Sequence, residues 1–137
     1  MAYKIVEDTD QSVIKVAFSG AVDDEDLMKL MAELYQLDSY TEFDQFIDFT
    51  AVKQCTVTPK GMMNYNETAR QRPEPKTARE DRKIVLCAPD DLTFGMARLL
   101  SSVADNRGID LEVFRSLNEA FDFLGLSSSP IQNEKIG

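Results

Sequence analysis

Three aspartates stand on or just after strand-like segments: Asp48 within Phe46-Ile47-Asp48-Phe49, and Asp90 and Asp91 after Ile84-Val85-Leu86-Cys87-Ala88. Carboxylates in such places can do general acid–base work. They need a partner, and the chain offers few. It has no histidine, which removes the commonest general base, the commonest metal ligand and every Ser–His or Cys–His dyad. Cys55 and Cys87 have neither CxxC nor metal-ligand spacing. Cys87 lies inside an apolar run and reads as a small core residue. Cys55 lies in a loop-like stretch with no histidine to activate it. The acidic run Asp23-Asp24-Glu25-Asp26 has the oxygens a hard cation wants, yet it is also what a helix dipole favours in a first turn, and that reading is preferred. No glycine-rich loop cradles a phosphate. The expectation is a protein that is not an enzyme, with no catalytic residue, no metal and no cofactor. Asp48 lies between apolar neighbours; if buried, it needs a partner such as an arginine or a backbone N–H and is then structural.

Two other groups remain. Thr56, Thr58, Lys60 and Met63 surround one helix start, and Asp90, Asp91 and Thr93 surround the next. Each group follows a strand, and parallel sheets generally place their sites at the carboxyl ends of strands. These seven residues form the candidate interaction or ligand surface. Thr58 is a good helix cap and Pro59 suits the first helical position. A phosphate on Thr58 would lie on a helix N-terminus, which stabilises anions, although capping alone accounts for the residue.

The elements that must position these residues alternate. Tyr3–Glu7 and Ser12–Phe18 read as a hairpin around Asp8-Thr9-Asp10-Gln11, with Ser19-Gly20 ending the second strand. A helix starts near Asp23, with Val22 and Leu27 at staple spacing and Leu27, Leu30, Met31, Leu34 and Leu37 on one stripe. Gln45–Phe49 is the next strand. The helix capped by Thr58 follows, with Val57 and Met62 as its staple and Met62, Tyr65 and Ala69 on its buried face. Segment 70–83 carries six of the fifteen basic residues, Arg70, Arg72, Lys76, Arg79, Arg82 and Lys83, with Pro73 and Pro75 breaking any helix. It reads as an exposed, solvated loop, with docking of an acidic partner or a phosphate as the alternative. Lys83–Ala88 does not alternate, as expected for a strand buried on both faces. Leu92, Met96, Leu99, Leu100 and Val103 line the third helix, which Gly108 ends. Gly95 inside it suggests close helix–sheet contact or a neighbouring ligand. Leu111–Phe114 is the last strand. Ser116–Glu119 is a capping box, Leu117, Ala120, Phe121 and Leu124 form the last helical stripe, and Gly125 closes it.

This rhythm specifies an α/β domain over residues 1–126 with a polar tail at 127–137. If sequential strands pair, the right-handed crossover rule puts the crossover helices on one face. The other face is then thinly covered, which invites a partner, a second copy or an apolar ligand. The 137 residues suffice for one core without disulfides or metal. A net charge of −9 argues against nucleic acid and anionic membranes. No stretch approaches ~20 apolar residues, so no stable membrane insertion is expected, and the location expected is cytoplasmic.

Several segments together resemble the SpoIIAA-like fold of STAS domains and, more distantly, of CRAL-TRIO lipid-transfer proteins. They are Phe46-Ile47-Asp48-Phe49-Thr50-Ala51-Val52, Thr58-Pro59-Lys60-Gly61-Met62, Ile84–Asp91, Phe94-Gly95-Met96-Ala97-Arg98, Val113-Phe114-Arg115 and Glu119–Gly125. The resemblance covers roughly residues 3 to 126 and is closest to a group of small bacterial proteins. It implies a mostly parallel five-stranded sheet with an antiparallel N-terminal strand and helices mainly on one face. The best-known members are anti-sigma factor antagonists, in which a kinase phosphorylates a serine of Asp-Ser-Ser-Gly at a helix start. Aligning that glycine with Gly61 puts Pro59 or Lys60 at the phosphorylated position, so the switch does not carry over.

Three functions compete. The resemblance and the missing histidine favour a STAS-like regulatory module that binds an as yet unidentified protein. The CRAL-TRIO side implies a small-molecule or lipid carrier, with an apolar pocket between helices and sheet lined by Met and Phe, although the chain is short for a lipid cavity. An enzyme using Asp48, Asp90 and Asp91 comes last. A homodimer is compatible with each.

Overall fold

The organising strand is β2, Val13–Val22. Its alternation sends Ile14, Val16 and Phe18 into one core and Val13 into another. In this computed structural model, which describes residues 2–74, 78–103 and 109–126, β1 (Tyr3–Asp8) pairs antiparallel with β2. Parallel strands β3 (Asp44–Cys55), β4 (Lys83–Cys87) and β5 (Asp110–Phe114) follow, in the order β1-β2-β3-β4-β5. Chain order is sheet order, and the antiparallel edge strand is the expected one. Pro75, Lys76, Gly108, the Val103 side chain and the tail at 127–137 lie outside the described residues.

Helices α1 (Asp24–Tyr35), α2 (Pro59–Gln71) and α3 (Asp91–Val103) connect the parallel strands. They share the face on which Leu30, Leu34, Met62, Met96 and Leu100 bury against Val16, Ile47 and Leu86. The caps are those the sequence specifies. Asp23 and Asp26 form a reciprocal capping box on α1, and Thr58 caps α2 with Pro59 in its first turn.

Helix α4 (Leu117–Leu124) begins at the cap Ser116 and ends at Gly125, whose φ of 75° is left-handed. It crosses to the opposite face, where Phe121 stacks on Phe46 at 5.1 Å beside Val13, Val85 and Cys87. Toward β1 that face is polar, with Lys15 paired to Asp8 at 3.5 Å. The second face is therefore less bare than the crossover rule alone implies.

Other expectations change. β2 does not stop at Ser19-Gly20: a register shift and a φ of 69° at Gly20 let it bend and continue. β3 runs on from Phe49 to Cys55, paired with β2 alone after Asp48, so Cys55 ends a strand rather than lying in a loop. Leu92 and Leu99 are exposed, and Thr93, Met96, Ala97 and Leu100 form the buried face of α3. Gly95 is exposed with open space where a Cβ would stand, so it serves neither close packing nor a ligand contact.

The basic segment is not a freely solvated loop. Arg82 is 4% exposed and donates to the carbonyls of Arg79 and Tyr40 and to Glu74. Arg79 pairs with Asp44 and Asp81, and Arg70 with Glu67. Arg72 lies 3.9 Å over the Tyr35 ring, and Lys83 donates to the Phe123 carbonyl. These cations fasten the segment to η1 (the 3-10 turn Asp38–Thr41), β3 and α4.

Candidate functional site

The start of α2 is where an anion would be expected, and the chain fills it itself. The Thr58 backbone N–H donates to Asp24 Oδ1 at 2.7 Å, and Thr58 Oγ1 donates to Asp24 Oδ2 at 2.6 Å. Thr58 Oγ1 in turn accepts from the Gly61 N–H at 3.0 Å. The first turn of α1 thereby caps the first turn of α2, and the Asp24 carboxylate takes the charge-favoured position at a helix N-terminus. Gly61 is required by this arrangement, because a Cβ there would overlap the Asp24 carboxylate. A phosphoryl group on Thr58 would remove the hydroxyl hydrogen that binds Asp24 and set a dianion against that carboxylate.

The other candidate residues are also engaged locally. Thr56 donates its backbone N–H to the Val22 carbonyl at 2.9 Å. Lys60 and Met63 point to solvent, Met63 at 59% exposure. At the start of α3, Asp90 Oδ1 accepts from the Thr93 N–H at 2.8 Å, and that bond holds the Asp90 carboxyl below its usual range. Thr93 is buried with its hydroxyl turned back to the Asp90 carbonyl. Asp91 pairs with Arg115 at 2.9 Å. The two groups thus hydrogen-bond within separate halves of the carboxyl edge, Thr56 and Thr58 to β2 and α1, Asp90 and Asp91 to α3 and Arg115. No fork opens between them, because the strand order never reverses and α1–α3 stay on one face. A topological switch point is what normally makes a crevice at that edge.

Asp48 is buried and accepts from the Thr50 N–H at 2.8 Å, the backbone partner expected of it. Across the last β3–β4 pair lies Cys87. Burial, with Asp48 and Glu119 adding to it, pushes its thiol up to about 12. Cys87 is accordingly an inert core thiol. Among the described residues no cluster of three metal-ligating side chains forms.

A space between helices and sheet lies at the other end of the sheet. A cavity of about 110 Å³ opens between α1–α3 and the sheet, over the amino-terminal parts of β3 and β5 and over β4. Ile47, Ile84, Leu86 and Leu111 floor it, with Met31, Tyr65, Ala69 and Leu100 above. Tyr40, Gln45 and Asn66 bring polar groups to it, and exposed Arg70 and Glu74 stand at its mouth. Gln45 is 6% exposed, and its side-chain amide makes no hydrogen bond among the described residues. Burial raises the pKa values of Tyr40 and Tyr65, so both keep their hydroxyl hydrogens at ordinary pH. The pocket expected between helices and sheet exists, but Met31 is its one methionine and its walls are Ile, Leu and Tyr rather than Phe. Sequence reasoning missed Gln45 as a site residue. Its signal was present: it lies two residues before Ile47 and so on the same strand face.

Among solved structures, the chain is similar to an uncharacterised protein of the DUF3478 family with a SpoIIAA-like fold from Shewanella loihica. The TM-score is 0.56 at 15% identity, over 90% of this chain and 92% of that one. The fold is SpoIIAA-like. No family model and no curated protein sequence matches the chain. No helix among the described residues of this SpoIIAA-like domain is long and apolar enough to cross a membrane.

Proposed function

We propose that this SpoIIAA-like domain is a non-enzymatic regulatory module that responds to a small molecule held in the cavity between α1–α3 and the sheet. The observation that carries the reading is that Gln45, a residue only 6% exposed, lines an apolar cavity with a side-chain amide that makes no hydrogen bond among the described residues. A ligand that fills the cavity can bond to that amide and takes its apolar surface out of water. The filled α2 start counts against a phosphate switch at Thr58. Native mass spectrometry of the protein purified from its own host tests this. A small bound mass lost on denaturation supports the reading, and a protein free of any bound mass under gentle desolvation counts against it.

A second reading is favoured by Met63 and Leu92, exposed at 59% and 65% near the starts of α2 and α3. Apolar side chains at both helix starts suit docking by a protein partner or a second copy. The two readings are compatible if the ligand below sets the position of the helices above.

A further inference from the structure

We propose that the cavity accepts a compact, neutral, single-ring molecule carrying one hydrogen-bonding group, with a phenol as the simplest case, and neither a lipid chain nor an anion. This rests on the reading that the cavity holds a ligand.

Size comes first. Drug-sized ligands occupy pockets of about 300–1,000 Å³, and an apolar cavity of about 150 Å³ holds benzene. At about 110 Å³ this cavity is smaller still, so one ring is the most it can take, and it cannot enclose an acyl chain. The walls come next: Ile47, Ile84, Leu86, Leu100, Leu111 and Met31 offer only apolar contact. A charged group placed among them would lose its hydration.

The ion-forming residues at the mouth are already committed. Arg70 pairs with Glu67, and Glu74 with Arg82, itself buried. What remains for a ligand is neutral. Gln45 offers an amide donor and acceptor, and Tyr65 a hydroxyl that makes no hydrogen bond among the described residues. The raised tyrosine pKa values keep those hydroxyls neutral through the physiological range. One ligand hydroxyl can both donate to and accept from such a set.

The test is titration of the whole chain with four probes, phenol, toluene, benzoate and dodecanoate, followed by methyl NMR shifts of Ile47, Ile84 and Leu86. Phenol is expected to bind and shift these methyls, with benzoate and dodecanoate weaker by at least about tenfold. Gln45→Leu is expected to weaken phenol about tenfold, the scale of one hydrogen bond, while toluene binds as before. Ala69→Met, which fills the space, should abolish binding of both. Dodecanoate bound in place of phenol would overturn the single-ring inference and leave the ligand-binding reading standing. Benzoate as tight as phenol would overturn neutrality alone. If no probe moves the methyls, the inference is overturned, while a small mass retained from the host would still uphold the broader reading.

Discussion

The two ends of this sheet treat polar groups in opposite ways. At the carboxyl end, Asp24 reaches across to Thr58 and satisfies the first turn of α2 from within the chain. At the amino end, Gln45 lines an apolar cavity, and its amide makes no hydrogen bond among the described residues. A motif search looks first at helix starts, where charges and hydroxyls cluster. Here that end is closed by internal bonding, and the unspent binding capacity lies among aliphatic side chains. A polar cluster marks a site only when its bonds are not already made.

Breaking the closed end should have the largest effect. Asp24→Ala removes two charge-assisted bonds, and urea unfolding is expected to show a loss of about 2 kcal/mol. An unchanged midpoint would mean that the carboxylate does not hold α2.

Gly61→Ala comes next. It forces Asp24 aside, at a net cost of about 1–2 kcal/mol after the gain in helix propensity. In the Asp24→Ala background the sign should reverse, with alanine stabilising by about 0.5–1 kcal/mol. A double-mutant cycle reads this coupling directly.

At the open end the direction is the opposite. Without ligand, Gln45→Leu should stabilise the chain by up to about 1 kcal/mol, because it puts an apolar group in place of an amide that makes no protein hydrogen bond beside apolar walls. A loss of stability would show that the amide is satisfied in solution. Combined with Asp24→Ala, its effect should add, since the two sites share no partner.

The smallest effect concerns pH. The folded Asp90 carboxyl lies below its ordinary value. Its contribution is therefore present above the unfolded value near 3.8 and fades as pH falls through the folded one. Asp90→Asn should therefore lower the melting temperature slightly at neutral pH and leave it little changed at acid pH, which flattens the acid limb of a thermal-melt series.

What was legible in the sequence was local. Asp23, Thr58, Pro59, Ser116 and Gly125 act within a turn of where they stand, so spacing alone assigns them. Strand order followed from short crossovers. The long-range pieces were not legible. Asp24 and Thr58 meet across 34 positions, and nothing in the acidic run distinguishes Asp24 from its neighbours. The extension of β3 through Ala51–Cys55 depends on pairing with a bent β2, not on its own half-exposed residues. Arg79 and Arg82 read as solvated because cations usually are, and only the fold brings Asp44 and Glu74 to them. The exposure of Leu92 reflects where α3 meets the sheet, which periodicity does not set at a helix's first turn.

The sheet is also built in the order in which it is written. As the chain leaves the ribosome, N-terminus first, each strand finds its neighbour already waiting. β2 folds back on β1, β3 docks on β2, and no gap has to be held open for a strand not yet made. Growth can proceed along one edge, with α4 free to close over the second face once that edge is complete. Synthesis and assembly thus share one direction, and a nascent chain of this protein can bury apolar surface at each step instead of waiting for its last residue.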